Sequence, residues 1–145
     1  MTTDSISKPP VWFWVVSVIA LLWNLMGVSA YLADAYTSVE QLEQMSQEIR
    51  ELYEGRPAWA TAGFAIAVFA GAIGSIALLL RKKWARPLLI LSVLGSIILN
   101  IHTFFLSNAL EVMGANIVIM PIVVIVFGIY LIFFAKKGIQ KGWLS

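Results

Sequence analysis

Asn24, Asn100 and His102 stand within otherwise apolar stretches of this sequence, and they bound the chemistry open to it. A carboxamide donates and accepts hydrogen bonds without carrying charge. Asn24 and Asn100 therefore suit either of two tasks, tying one helix to another or holding a neutral polar solute. The imidazole of His102 adds a nitrogen that could ligate haem or meet a quinone head group. It is the sole histidine, so haem held by two imidazoles would need a second copy of the chain. With no cysteine there is no disulfide and no thiolate metal site. No glycine-rich phosphate loop, no Ser–His–Asp set and no pair of carboxylates within an apolar stretch is present. No catalytic residue, metal site or cofactor is expected, and enzyme activity is not.

On a helix, residues two apart are rotated by about 200°, so Asn100 and His102 cannot both face one axis. Asn100 shares a stripe with Ser92, Ser96, Thr103 and Ser107, while His102 falls on the side of Gly95 and Leu99. Trp23 and Tyr31 flank Asn24 and offer aromatic faces. Asn24, Asn100, His102, Trp23 and Tyr31 form the candidate solute-lining set. The bland alternative is that the amides join helices, each worth about 0.6 kcal/mol in lipid.

The elements that must position these groups follow from the charge pattern. The chain has 145 residues, of which 60% are hydrophobic and 12% charged. A soluble domain carries about a quarter charged residues. Four stretches contain no Asp, Glu, Lys or Arg at all: between Lys8 and Asp34, Arg56 and Arg81, Arg86 and Glu111, and Glu111 and Lys136. Each exceeds the roughly 20 residues that cross a bilayer core as a helix. In lipid every backbone polar group must be paired internally, so the stretches are expected to be helices. The fold class is an all-α membrane protein, a four-transmembrane-helix bundle with spans at about 11–33, 58–80, 84–107 and 113–135. It forms a single domain, preceded by a short tail up to Pro10. The absence of a deep carboxylate argues against proton- or cation-coupled transport.

If the N-terminus is inside, Lys8, Arg81, Lys82, Lys83, Arg86, Lys136, Lys137 and Lys141 lie on the inner face and only Arg50 and Arg56 on the outer. That bias puts both termini in the cytoplasm. Trp12, Trp14, Trp84 and Trp143 then fall near the inner interface. Ala33-Asp34-Ala35 resembles a signal-peptidase site, but the apolar run before it is longer than a signal peptide needs, so the first stretch reads as a span.

Small residues let helices approach closely in lipid. Gly63, Ala67, Ala70, Gly71, Gly74, Ser75 and Ala77 mark the second span as the packing centre. Ser17, Ala20, Asn24, Gly27, Tyr31 and Asp34 form a seam on the first span. In the fourth, Gly114, Pro121, Gly128 and Ala135 recur every seven residues, and Pro121 is expected to kink the helix. Together these predict a compact bundle with few deep voids.

Residues 34–57 make the one substantial segment outside the lipid. Thr37 and Glu40 have capping-box spacing, and Val39, Leu42, Met45, Ile49 and Leu52 line one face of an amphipathic helix over about 38–54. Six carboxylates oppose two arginines there, which disfavours adsorption to anionic lipid. Glu40, Glu43, Glu48 and Glu51 are either a solvated face or a docking face for a basic or helical partner.

The runs Trp23-Asn24-Leu25-Met26-Gly27, Pro57-Ala58-Trp59-Ala60-Thr61-Ala62, Arg81-Lys82-Lys83-Trp84-Ala85 and Gly142-Trp143-Leu144 resemble those of a group of small bacterial four-span inner-membrane proteins, often described as sugar transporters. The resemblance implies location in a bacterial inner membrane and no particular site residues. The sequence thus leaves two functions open. One is an accessory or assembly protein, partnered by the bilayer and by another membrane protein or itself, with no nucleic acid. The other is an oligomeric carrier or channel for a small neutral solute, lined by Asn24 and Asn100.

Overall fold

A computed structural model describes residues 8–145; the first seven residues of the expected N-terminal tail lie outside them. Four helices are long and apolar enough to cross a membrane. They are α1 (Val11–Ala35), α4 (Ala58–Leu79), α5 (Ala85–Ile101, continued by a π-helical turn His102–Leu106) and α7 (Ile119–Gln140, entered through a 3₁₀ turn Ala115–Val118). The chain is an all-α, multi-pass integral membrane protein. Two short helices, α2 (Val39–Glu43) and α3 (Gln47–Gly55), join α1 to α4, and α6 (Ala109–Met113) precedes the 3₁₀ turn. The bundle has a basic end, at Arg81–Arg86 and Lys136–Lys141, and an acidic end, at α2 and α3.

The prolines explain where helices begin. Pro10 and Pro57 occupy the N-cap positions of α1 and α4, and Pro87 and Pro121 lie in the first turns of α5 and α7. A proline there gives up no donor that the helix needs. Pro121, expected to kink the fourth span, lies in the first turn of α7, and the helix changes from 3₁₀ to α just ahead of it.

The long helices pack in the order α1–α4–α5–α7. The small-residue ladder of α4 is buried along its whole length, at Gly63, Ala67, Ala70, Gly71, Gly74, Ser75 and Ala77. At the tightest point α4 crosses α5 glycine on glycine. A Cβ on Gly95 would stand 2.6 Å from the Gly63 carbonyl oxygen, and one on Gly63 would stand 2.9 Å from that of Gly95. Apolar burial does not drive helices together in lipid, so this close backbone approach supplies the van der Waals contact instead. The α1 seam faces α4: Ser17 and Ala20 are buried, and Tyr31 meets Phe64 and Phe69 edge-on at 5.3 and 5.6 Å.

The basic end is closed by a contact that the sequence reading missed. Residues 143–145 fold back on the Arg81–Lys83 turn rather than trailing as a free tail. The Ser145 N–H donates to the Arg81 carbonyl (2.9 Å), the Lys83 N–H to the Ser145 carbonyl (3.1 Å), and Arg81 Nε to the Trp143 carbonyl (2.8 Å). Gly142, at φ 76°, turns the chain, and Leu144 packs on Gly138. Trp143 is buried against Trp12 and Phe13, and Phe13 stacks on Phe134 at 5.4 Å.

At the acidic end the single amphipathic helix expected over 38–54 is two. Ser46 caps a fresh start by accepting from the Ile49 N–H, while Arg50 turns back to donate to the carbonyls of Leu42, Glu43 and Met45. A guanidinium on the last carbonyls of α2 satisfies acceptors that a continuous helix would have paired internally. The capping box also lies one residue later than expected, at Ser38 and Gln41; Thr37 instead donates to the carbonyls of Ala33 and Asp34.

Arg56 Nη2 spans both carboxylate oxygens of Asp34 at 2.6 and 2.7 Å, tying the end of α1 to the start of α4. The pair is partly exposed, with side-chain accessibilities of 18% and 16%. Arg56→Ala is expected to lower stability by about 1 kcal/mol. Adding Asp34→Ala should cost little more, and a double-mutant cycle on unfolding free energies checks the coupling.

Candidate functional site: a cavity between the spans

A cavity of about 360 Å³ lies among the four long helices. This corrects the expectation of a bundle with few deep voids. The physical reason lies in α1 and α7, the two ends of the packing row. Aromatic pairs join them at Trp12–Phe134, Phe13–Phe134 and Trp23–Phe127, from the basic end to mid-depth. Beyond Trp23 the facing residues include Gly27 and Ala30 on α1 and Pro121 on α7, too small to fill the space. The small residues that bring α4 close to its neighbours leave room where no neighbour comes close.

Leu89 and Leu131, each 2% exposed, close the cavity toward the basic end. Met26 and Met120 line it too, yet are 66% and 60% exposed, so it opens sideways between α1 and α7. In a bilayer that mouth faces lipid. No charged side chain lines the cavity; apart from the Trp23 indole, its polar side chains are Asn24, Ser92, Ser96 and Asn100.

Hydrogen bonding fixes how these groups are turned. Asn24 Nδ2 donates to the Ala20 carbonyl (2.8 Å) and to Ser75 Oγ (3.2 Å), while Ser75 Oγ donates to the Gly71 carbonyl (2.8 Å). Since the Ala20 carbonyl can only accept, the amide nitrogen must face it, and both N–H groups are used. Asn100 Nδ2 likewise faces the Ser96 carbonyl at 2.8 Å, which leaves it one N–H. Ser92 Oγ donates across to the Ala67 carbonyl at 2.5 Å, joining α5 to α4. Asn24 Oδ1 and Ser92 Oγ converge on Gly71, both within 3.0 Å of the point where a Cβ on that residue would stand.

Asn24 and Asn100 thus border one cavity without bonding to each other. Trp23 lines it against Phe127 at 5.7 Å. Tyr31 does not; its ring is taken up by the two α4 phenylalanines. His102 stands outside it, half-buried on the π-helical turn and edge-on to Trp59 at 5.6 Å. Glu40, Glu43, Glu48 and Glu51 are exposed, and Glu51 accepts from Gln47 at 3.2 Å. Among the described residues no group of three His, Asp or Glu side chains converges as metal ligands would.

Several contributors to the cavity were not assigned to it from the sequence. Ser92 and Ser96 were visible on the Asn100 stripe, four residues apart. Gly71 on α4 and Pro121 and Gly128 on α7 carried only packing signals, and Met120, Val124, Phe127 and Leu131 carried none. No protein-family model matches this chain, and neither a curated protein nor a solved structure matches it.

Proposed function

We propose that this chain is a non-enzymatic protein of a bacterial inner membrane, with both termini cytoplasmic, that takes a small, neutral, mostly apolar guest from the bilayer into the cavity between its spans. The observation that carries this reading is the sideways mouth at Met26 and Met120 leading to a charge-free space with amides on its wall. A charged guest would leave its charge unpaired in a low-dielectric site, at a cost of several kcal/mol. A sugar would bring more hydroxyls than four polar side chains can satisfy. A volume of 360 Å³ suits a small ligand. The orientation rests on the eight-to-two excess of basic residues at the end that carries Arg81–Arg86 and Lys136–Lys141. The guest would then enter from the outer leaflet.

The test uses the full chain in bilayer nanodiscs with a C12 alkyl diazirine as a photoreactive probe. Labelling is expected at residue resolution on Gly71 and Ser92 themselves, as distinct from their outward neighbours Phe69, Ile73, Leu91 and Leu94, which free lipid reaches. Val124→Trp fills the cavity without removing a hydrogen bond, and should lower that labelling at least about fivefold while circular dichroism is unchanged. Labelling confined to outward residues such as Ile122 and Phe133, or unaffected by Val124→Trp, would overturn the reading.

A second reading is favoured by the acidic end. Glu40, Glu43 and Glu48 are exposed and, among the described residues, their carboxylates have no partner in the chain. A docked basic partner would make the protein an accessory component of a larger assembly.

A further inference from the structure

The hydrogen-bond inventory of the cavity goes beyond its size, and the geometry points to a specific guest class: a neutral lipid-like molecule that presents a hydroxyl, seated with its O–H toward Asn24 Oδ1 and Ser92 Oγ on the cavity wall. This rests on the guest-binding reading above. Asn24 has spent both N–H groups on Ala20 and Ser75, and no donor reaches its Oδ1 among the described residues. That oxygen is not sealed off either, since among the described residues the one buried side-chain polar atom without a partner is Arg86 Nε, at the basic end. Ser92 has spent its only proton on the Ala67 carbonyl and keeps lone pairs alone. The two oxygens that converge on Gly71 are therefore both acceptors, and the glycine lets them pack this close: a Cβ there would stand 2.1 Å from Asn24 Oδ1.

Two acceptors at the closed end select for a donor. An alcohol O–H donates to one of them or is shared by both, whereas an ether, an ester or an oxidised quinone presents this pair with another acceptor and has only the spare N–H of Asn100 to turn to. With no cation on the wall, a fatty-acid carboxylate or a phosphate is excluded by its charge. The rest of the wall fits an alkyl body running past Phe64, Val124 and Phe127 to the mouth. The volume is more than twice the ~150 Å³ cavity that accepts benzene, which corresponds to an alcohol of about a dozen heavy atoms.

The experiment competes two unlabelled isomers, 1-dodecanol and methyl undecyl ether, against the C12 alkyl diazirine in nanodiscs holding the full chain. They have the same atoms and differ in whether the oxygen donates. The alcohol is expected to suppress cavity labelling at an approximately tenfold lower mole fraction. The advantage should disappear in Asn24→Leu, and in Ser92→Ala should Asn24→Leu fail to fold. Equal competition by the two isomers in the wild-type chain sinks the hydroxyl assignment while leaving guest binding intact. No cavity labelling at all sinks both.

Discussion

Gly95→Ala is expected to destabilise the bundle by about 3 kcal/mol, the upper part of the usual range for overpacking. The added methyl would meet the Gly63 carbonyl oxygen at 2.6 Å and the Ala67 backbone nitrogen at 2.7 Å. Neither is the flexible tip of a side chain, so relief requires α4 and α5 to part. Parting costs the van der Waals contact that holds helices together where there is no water to expel. Ser92 Oγ to the Ala67 carbonyl lies on the same interface and would lengthen with it. Unfolding by graded SDS in mixed micelles, followed by circular dichroism, measures the change. Gly55→Ala is the control, since a Cβ there meets nothing within 4 Å; it should be neutral or slightly stabilising. If the two glycines respond alike, the α4–α5 crossing is not as close as described.

Trp143→Ala should cost as much, about 3 kcal/mol, by removing a large side chain from the aromatic cluster. Trp143 is 8% exposed, and lies edge-on to Trp12 at 5.4 Å and to Phe13 at 5.7 Å. Phe13 itself is fully buried, and its stacking on Phe134 holds the starting turn of α1 against the last turns of α7. The loss should therefore be felt between helices at opposite ends of the sequence. A disulfide-trapping pair or a spin-label distance between α1 and α7 near Phe13 and Phe134 is expected to broaden in the variant. A stability loss under about 1 kcal/mol would mean that the Trp143 contact adds little to the seam.

Much of this architecture could be read from charge alone. A run of more than twenty residues without a formal charge admits few alternatives, and α1, α4 and α5 begin within about two residues of where those runs place them, while α7 starts at Ile119, six residues later than expected, after a 3₁₀ turn. The glycine and alanine ladder of α4 was equally legible, because backbone approach needs small residues wherever it occurs. What escaped were features set by one hydrogen bond. Arg50 folding back on α2, and Ser46 restarting the helix, divided a periodic stretch whose apolar spacing ran straight through the break. The Trp143–Ser145 fold-back depends on backbone pairing to a distant turn, to which composition is blind. The cavity escaped for a related reason. Small residues at regular spacing predict contact only if a partner helix lies opposite, and nothing in the α1 or α7 stripe says which face has none. The rotation argument did separate Asn100 from His102, one on the cavity and one against Trp59.

The seam between α1 and α7 is fastened by aromatic rings on one half of its length and edged by two methionines on the other. Thioether chains are unbranched and change shape cheaply. Durability and selectivity are thereby assigned to separate residues: the rings fix the scaffold, whereas the threshold can be reshaped one methionine at a time at little thermodynamic penalty. Descendants of this chain could drift in what they admit long before they drift in how they fold.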